Sequence, residues 1–426
     1  MNTVTKLLII LTFLYMFTQP VQGQQTIDAR GVGMAFSNSA QTRGLEQVGL
    51  NPATLALPHR FKFEMNLLSF HLSASNNSFN KSLYDKYFTT GELLTEQDKS
   101  TILNAIPAEG IRGNFSAKLN TLAFYLPYFS IAITGMGNGS FTLPKELAVL
   151  SLEGNSQLDH VYDFSELDGK GWGGLAGMLS FAVPVYHRPE GFIQRASIGL
   201  SAKYIGGLAY FEVMRSEGRF QNVGFENPFV QIDGEMEMRT ARGGSGLGLD
   251  LGFLMENKKW TFSLAFLNLL GSVNWKNQTE VRSYHVSSDS FAVKAEDMDD
   301  DVVVQHDSTY AIGNFKTRLP FTFDLGVAYQ WHRNLLIAAE FEKGLNESMG
   351  ARKNSRLAFG VEFTGIPIIP LRSGISLGGN HGFSFGLGTG LDLHFWYVDV
   401  GFMNHGGLTR GSAKGFTLSL TSRLRF

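Results

Sequence analysis

Charged side chains stand at alternate positions in runs that are otherwise apolar or small: Lys62, Glu64, Asp250, Asp324, Glu340, Glu342, Arg356, Glu362, Asp399, Arg423 and Arg425. Side chains of a strand alternate between its two faces, so each of these projects to the polar side of its strand. Both signs occur on neighbouring runs. Such a face suits ion pairing across an enclosed interior. That interior is either a water-filled pore or a structural network that clamps an inserted segment, and the clamp is the preferred reading. Arg30 and Arg43, near the start of the chain, offer charges for it.

Other chemistry is weaker. Gly169-Lys-Gly-Trp-Gly-Gly174 fits the spacing G-x-G-x-x-G, but it opens a strand and no βαβ unit precedes it. No G-x-S-x-G elbow, H-E-x-x-H pair or P-loop occurs, and Ser and His are scattered. An enzyme is therefore not expected; an outer-membrane lipase would need a Ser and a His on adjacent strands at the outer rim. Glu296, Asp297, Asp299, Asp300 and Asp301 are hard oxygen donors without the spacing or Gly of a calcium loop, and read as a solvated loop. No cofactor and no metal is expected. With 36 Lys and Arg against 38 Asp and Glu, nothing favours nucleic acid. Cys is absent, which removes disulfides and thiolate sites.

The elements that must position these charges are strands. The last stretch, Gly415 to Phe426, has Phe416, Leu418, Leu420, Leu424 and Phe426 on one side and Thr417, Ser419, Thr421, Arg423 and Arg425 on the other. Phe321, Phe323, Leu325, Val327, Tyr329 and Trp331 oppose Thr322, Asp324, Gly326, Ala328 and Gln330. Leu357, Phe359, Val361 and Phe363 oppose Arg356, Ala358, Gly360 and Glu362, and Trp396, Val398, Val400 and Phe402 oppose Tyr397, Asp399 and Gly401. Connections are short after even strands and mostly long after odd ones, the asymmetry of an outer-membrane barrel with tight periplasmic turns. An open edge in lipid would leave amides unsatisfied, so the strands must close on themselves. The expected fold is all-β, a transmembrane antiparallel barrel of about 14 strands over 59–426, with long external loops at 75–112, 143–171, 209–243 and 272–317. Tyr128, Trp260, Trp331 and Trp396 fall near the short turns as a girdle.

Lys6, the apolar run Leu7–Phe17 and the small residue Gly23 read as a signal peptide over 1–23, cleaved before Gln24. Residues 24–58 follow without a clear period and read as a compact plug in the lumen. Gly31, Gly33 and Ala35 lead into the turn Asn51-Pro52-Ala53, which Pro52 enforces. This lead-in, turn and strand rhythm resemble the long-chain fatty-acid transporter (FadL-type) superfamily of outer-membrane barrels. The terminal Phe426 is similar to the end that barrel-assembly machinery recognises.

The resemblance implies a cell outer membrane location in a Gram-negative bacterium, contact with outer-membrane lipid, and passive transport of a hydrophobic small molecule that leaves sideways through the wall. Parity slips at Leu67/Leu68 and near Leu119/Asn120 put bulges on early strands, where an opening could sit. Leu143–Leu150 and the helix near Ile102–Ile106 are candidates for first capture. The alternative is a carrier or scaffold that docks secreted-protein cargo on its external loops, as the PorV-type proteins of the Bacteroidetes type 9 secretion system do. The Gln24 start and the Gly- and Phe-rich barrel are compatible with such an origin.

Overall fold

The computed structural model describes residues 27–155, 160–223, 229–292, 304–349 and 354–426. The signal peptide and the acidic run at 296–301 lie outside the described residues. The strands are β1 Glu64–Asn76, β2 Ile111–Leu126, β3 Phe129–Leu143, β4 Val161–Asp163, β5 Asp168–His187, β6 Arg195–Val223, β7 Phe229–Glu256, β8 Trp260–Ala292, β9 Val304–Ala311 and β10 Phe315–Arg318. They continue with β11 Thr322–His332, β12 Leu335–Gly344, β13 Ser355–Phe363, β14 Leu371–Gly378, β15 Ser384–Asp392, β16 Trp396–His405 and β17 Gly415–Arg425. Fourteen of them form a closed antiparallel barrel, sealed where β1 pairs with both β17 and β2. β4, β9 and β10 are short additions that pair with β6 and β8 beside the ring.

Burial follows the alternation. In β13, Arg356, Ala358, Gly360 and Glu362 are buried, while Phe359, Val361 and Phe363 are exposed on the outer wall. The outer wall carries Ile131, Ile133, Leu179, Phe181, Leu200, Phe262, Leu325, Ile375, Val400, Phe402 and Leu418, an apolar surface far larger than a water-facing protein tolerates. That belt is what lipid would cover, and it explains a mean hydropathy near zero: half of each strand is polar. Among the described residues no helix is long and apolar enough to cross a membrane.

The chain's end closes the seam. Phe426 N donates to Phe63 O at 2.9 Å, and its carbonyl accepts from Lys62 N at 2.8 Å and Phe63 N at 2.9 Å. Lys62 precedes β1 and is exposed, because strand parity does not extend ahead of Glu64; it is not part of the interior. The segment at 209–243, read as an excursion, is mostly the upper halves of β6 and β7. Likewise β8 runs on to Ala292 before β9 and β10 return. β6, β7 and β8 have 29, 28 and 33 residues, against the roughly 10 that cross an apolar band. They therefore rise well above it on the long-loop rim.

Candidate functional site

Residues 28–57 pass through the interior as short helical turns, Ala29–Gly33, Ser39–Gln41, Gly44–Gln47 and Pro52–Ala56. The segment has no core of its own; the wall is its core. Around the ring, inward-facing glycines leave room for it. An added Cβ on Gly199 would lie 2.3 Å from Ala53 N, on Gly252 1.9 Å from Asn51 Oδ1, on Gly326 2.3 Å from Ser39 Oγ and on Gly374 2.4 Å from the carbonyl carbon of Met34. Gly388 meets Gly33, and Gly401 meets Ala29 O. A side chain at these positions would collide with the segment, with its backbone at Gly199, Gly374, Gly388 and Gly401, so the wall and the segment are matched surfaces.

Gly31, Gly33, Ala35, Asn51, Pro52 and Ala53 are all buried here. Ala35 and Phe36 take left-handed backbone, φ 52° and 63°, which turns their carbonyls to Arg356 Nη1 at 3.3 Å each. Asn51 holds the second half of the segment. Its Oδ1 accepts from Ala53 N at 2.8 Å, and its Nδ2 donates to Phe253 O at 2.9 Å and Ser263 Oγ at 2.8 Å.

Most of the interior charges are paired. Arg30 bridges Glu46 at 2.9 Å and Glu362 at 2.6 Å, and Glu362 also takes Arg372 at 2.7 Å. Arg372 continues to Asp399 at 2.7 Å, beside Tyr397. Arg423 pairs with Asp28, and Arg425 meets Glu64 at 3.2 Å. Glu64 also accepts from Leu45 N at 2.7 Å. Arg356 reaches Glu340 at 3.0 Å and Glu342 at 2.9 Å, and Glu340 accepts from Ser39 N at 2.9 Å. Asp250 pairs with Lys203 at 2.7 Å on the opposite arc, and Arg43 approaches Glu256 at 4.0 Å. Asp324 lies beside Glu340 and Glu342.

Toward the long-loop rim lies an interior cavity of about 80 Å³. Its lining includes Met136, Trp172, Met178, Ile205, Leu319 and Met349, with Lys118 and Lys203 among the polar groups. Beside it the wall is irregular. β8 pairs with β11 up to Leu267 and with β10 only from Ser272 onward. Its register to β7 shifts on both sides of Leu249. Asn268 and Leu270 have φ of 59° and 55°, and Leu270 is 92% exposed. Asn268 compensates for the break: its N–H donates to Asp250 Oδ1, its Oδ1 accepts from Lys203 and its Nδ2 donates to Pro320 O, each at 2.8 Å.

The early bulges are real but smaller. β1 slips against β17 between Asn66 and Leu68, β2 slips against β3 between Asn120 and Leu122, and the ladder between β1 and β2 skips from Asn66–Ala123 to Ser69–Asn120. Across that gap Asn66 Nδ2 donates to Asn120 O at 2.6 Å, so a side chain replaces the missing ladder bond.

The family of unknown function DUF5723 matches the chain over residues 52–242 and 224–401. The chain belongs to that family. Curated proteins offer no match to this DUF5723 member. Solved structures share its fold. The toluene transporter TodX of P. putida superposes with a TM-score of 0.53 at 11% identity, covering 95% of this chain and 99% of that one. A Pseudomonas aeruginosa FadL homologue gives 0.52 at 12% identity over 96% and 100%. The monoaromatic hydrocarbon channel CymD gives 0.50 at 10% identity over 95% and 98%. The FadL-type fold of the DUF5723 chain is thus established.

Several members of the interior escaped the sequence reading. Arg372 had a findable signal: it sits at an inward position of a short alternating strand, Leu371–Gly378. Asp28 and Lys203 had none, because their partners are set by the closed ring, and Glu46 had none, because the aperiodic segment itself folds it onto Arg30. The helix Lys145–Glu153 buries no residue, whereas Ile102, Leu103 and Ile106 are buried.

Proposed function

We propose that this barrel takes small hydrophobic molecules from the outer surface into the cavity lined by Trp172 and Met178 and releases them sideways into the membrane. Residues 24–58 act as a plug, so an axial route is closed at the floor. The observation that carries the reading is the cavity's position: largely apolar, above the packed segment, and against the break in β8 at Asn268–Gly271. An apolar solute gains nothing from water below and much from lipid beside it. The barrels of like fold are named for transport of toluene and monoaromatic hydrocarbons, which supports the solute class. Insertion in the outer membrane follows, with Phe426 as the residue read by the assembly machinery.

The test is uptake of a radiolabelled monoaromatic hydrocarbon by vesicles carrying the folded barrel. Ala176 is 2% exposed and lines the cavity, so Ala176→Phe fills it. Uptake falls at least about tenfold if the cavity is the route, while Gly177→Ala, where an added Cβ meets nothing within 4 Å, leaves it intact. Equal uptake by wild type and Ala176→Phe sinks the proposal.

A second reading rests on the tall arc of β6, β7 and β8, which extends far beyond what a membrane requires. That arc offers a docking surface for a secreted-protein cargo, with no solute passing. Co-purification of a secreted protein rather than a lipid-like ligand would favour it.

A further inference from the structure

Asp324, Glu340 and Glu342 are 2%, 3% and 2% exposed, and an oxygen of each lies within 4.8 Å of the others. Asp324 stands directly across the ladder from Glu342, and Glu342 directly across from Arg356. Like charges opposite one another on a sheet are unfavourable, and burial magnifies the cost. The contacts already made do not balance the cluster. Arg356 takes Glu340 Oε1 and Glu342 Oε2, and Ser39 N takes Glu340 Oε2. Asp324 forms no salt bridge, and its Oδ1 has no hydrogen-bond partner among the described residues. Three carboxylates thus face one guanidinium at contact distance, with the Lys118 ammonium acting on Glu342 from farther off.

A second observation comes from a different part of the chain. Ser39, on the N-terminal segment, is fully buried at the cluster: its N–H donates to Glu340 Oε2 at 2.9 Å and its hydroxyl lies over Gly326, the residue paired with Glu340. That Oγ reaches hydrogen-bond geometry with nothing among the described residues. An apolar or small residue would serve if Ser39 only had to pack against Gly326. An unpartnered hydroxyl and an unpartnered carboxylate oxygen in one buried cluster are a hard-donor arrangement left one group short.

We propose that Asp324, Glu340, Glu342 and Ser39 bind a divalent cation of the calcium class, which ties the N-terminal segment to β11 and β12. Oxygen donors only, three of them anionic, are the set that hard cations take. Glu342 and Arg356 line a small cavity of about 10 Å³ beneath the turn Gly379–His381 on the long-loop side, room for one water-sized species on the way in. The site is separate from the apolar cavity, so it stands or falls independently of solute uptake.

The experiment uses the full-length barrel in detergent, stripped with chelator and titrated calorimetrically with Ca²⁺. Wild type binds one equivalent, and added Ca²⁺ raises the temperature at which the folded barrel is lost. Asp324→Asn weakens binding at least about tenfold, the scale of losing a ligand group, and Ser39→Ala weakens it less. Should Asp324→Asn fail to fold, Glu342→Gln is read in the same titration. Absence of binding by wild type with Ca²⁺, Mg²⁺ and Mn²⁺, or equal affinity in Asp324→Asn, overturns the proposal. So does an infrared band of a protonated carboxyl in the stripped wild type that persists in Ca²⁺ and is lost in Asp324→Asn, which would mean that a proton fills the site.

Discussion

Two arcs of this barrel solve the same closure problem in opposite ways. From β11 to β17 the strands are short, 8 to 11 residues, and their ladders nearly unbroken. Their inner face holds Glu362, Arg372, Asp399 and Arg423 and the glycines that admit residues 28–57. From β5 to β8 the strands have 20 to 33 residues and repeated register shifts, and they surround Trp172, Tyr210 and Trp275. The difference shows a division of labour. A charged network needs fixed distances, so it sits on regular ladders. A cavity needs room and a wall that can give, so it sits where the ladder is interrupted.

The largest effect should come from the regular arc. Glu362 joins Arg30 of the segment to Arg372 of the wall. Glu362→Arg leaves three buried guanidiniums together, and removing one partner of a buried pair already costs about 3–5 kcal/mol. We expect the N-terminal segment to leave its seat and ion conductance in planar bilayers to rise from a closed baseline. Unchanged conductance would mean the clamp is not what holds the floor.

Next is the fit of wall to segment. Gly374→Val places methyl groups where Met34 backbone lies 2.4 Å from a Cβ. Overpacking of this kind costs about 1–3 kcal/mol, and here the neighbour is backbone that cannot rotate away. Proteolysis of the N-terminal segment in folded barrels should accelerate about tenfold or more relative to Gly177→Ala. If both variants are cut at the wild-type rate, the matched surfaces are looser than the geometry implies.

A smaller effect tests whether the bulge in β1 is merely curvature. Asn66→Leu removes the bond from Nδ2 to Asn120 O and leaves that carbonyl in a gap between ladder bonds. The loss should be about 1–2 kcal/mol in unfolding of the barrel, the cost of an unsatisfied buried acceptor. A neutral result would show that water or a shifted backbone satisfies Asn120 instead.

The regular arc was the legible one. Phe321 to Trp331 and Leu357 to Phe363 display their two faces in the sequence because lipid and interior demand opposite chemistry at every step. The tall arc was less so. Above the membrane both faces of β6 and β7 meet water, and Arg215, Glu217 and Glu237 erase the alternation that marks a strand. Residues 28–57 show no period because most of their packing partners are on distant strands, 144 positions away for Ala53 with Ser197 and 395 for Asp28 with Arg423. The same distance hid Asp28, whereas Glu46 is paired with Arg30, 16 positions away, inside a segment that has no period to reveal it. The break at Asn268–Gly271 had no sequence cue beyond Gly271, since its left-handed residues are Asn and Leu.

The smallest effect lies outside both arcs and sets a limit on how far they reach. The helix Glu96–Ala105 begins at a capping box in which Thr95 Oγ1 accepts from Asp98 N at 3.3 Å and donates to Asp98 Oδ2 at 2.6 Å. The Thr95 hydroxyl and backbone hold the Asp98 carboxyl below its usual value. A carboxyl whose value is lowered by folding stabilises the folded form above its unfolded value, and that contribution is lost as pH falls through the folded one. The cap should therefore weaken only at pH below the ordinary aspartate range. Thr95→Ala, worth about 1 kcal/mol to a helix, should raise cleavage in 77–110 a few-fold at neutral pH and flatten its acid dependence. Neither change should alter conductance or solute uptake, because the loop helix is joined to the barrel at its rim and not through the charged floor. If Thr95→Ala did open the lumen, the external helices would have to be counted as part of the gate, and the contrast between the two arcs would no longer describe how the barrel is closed.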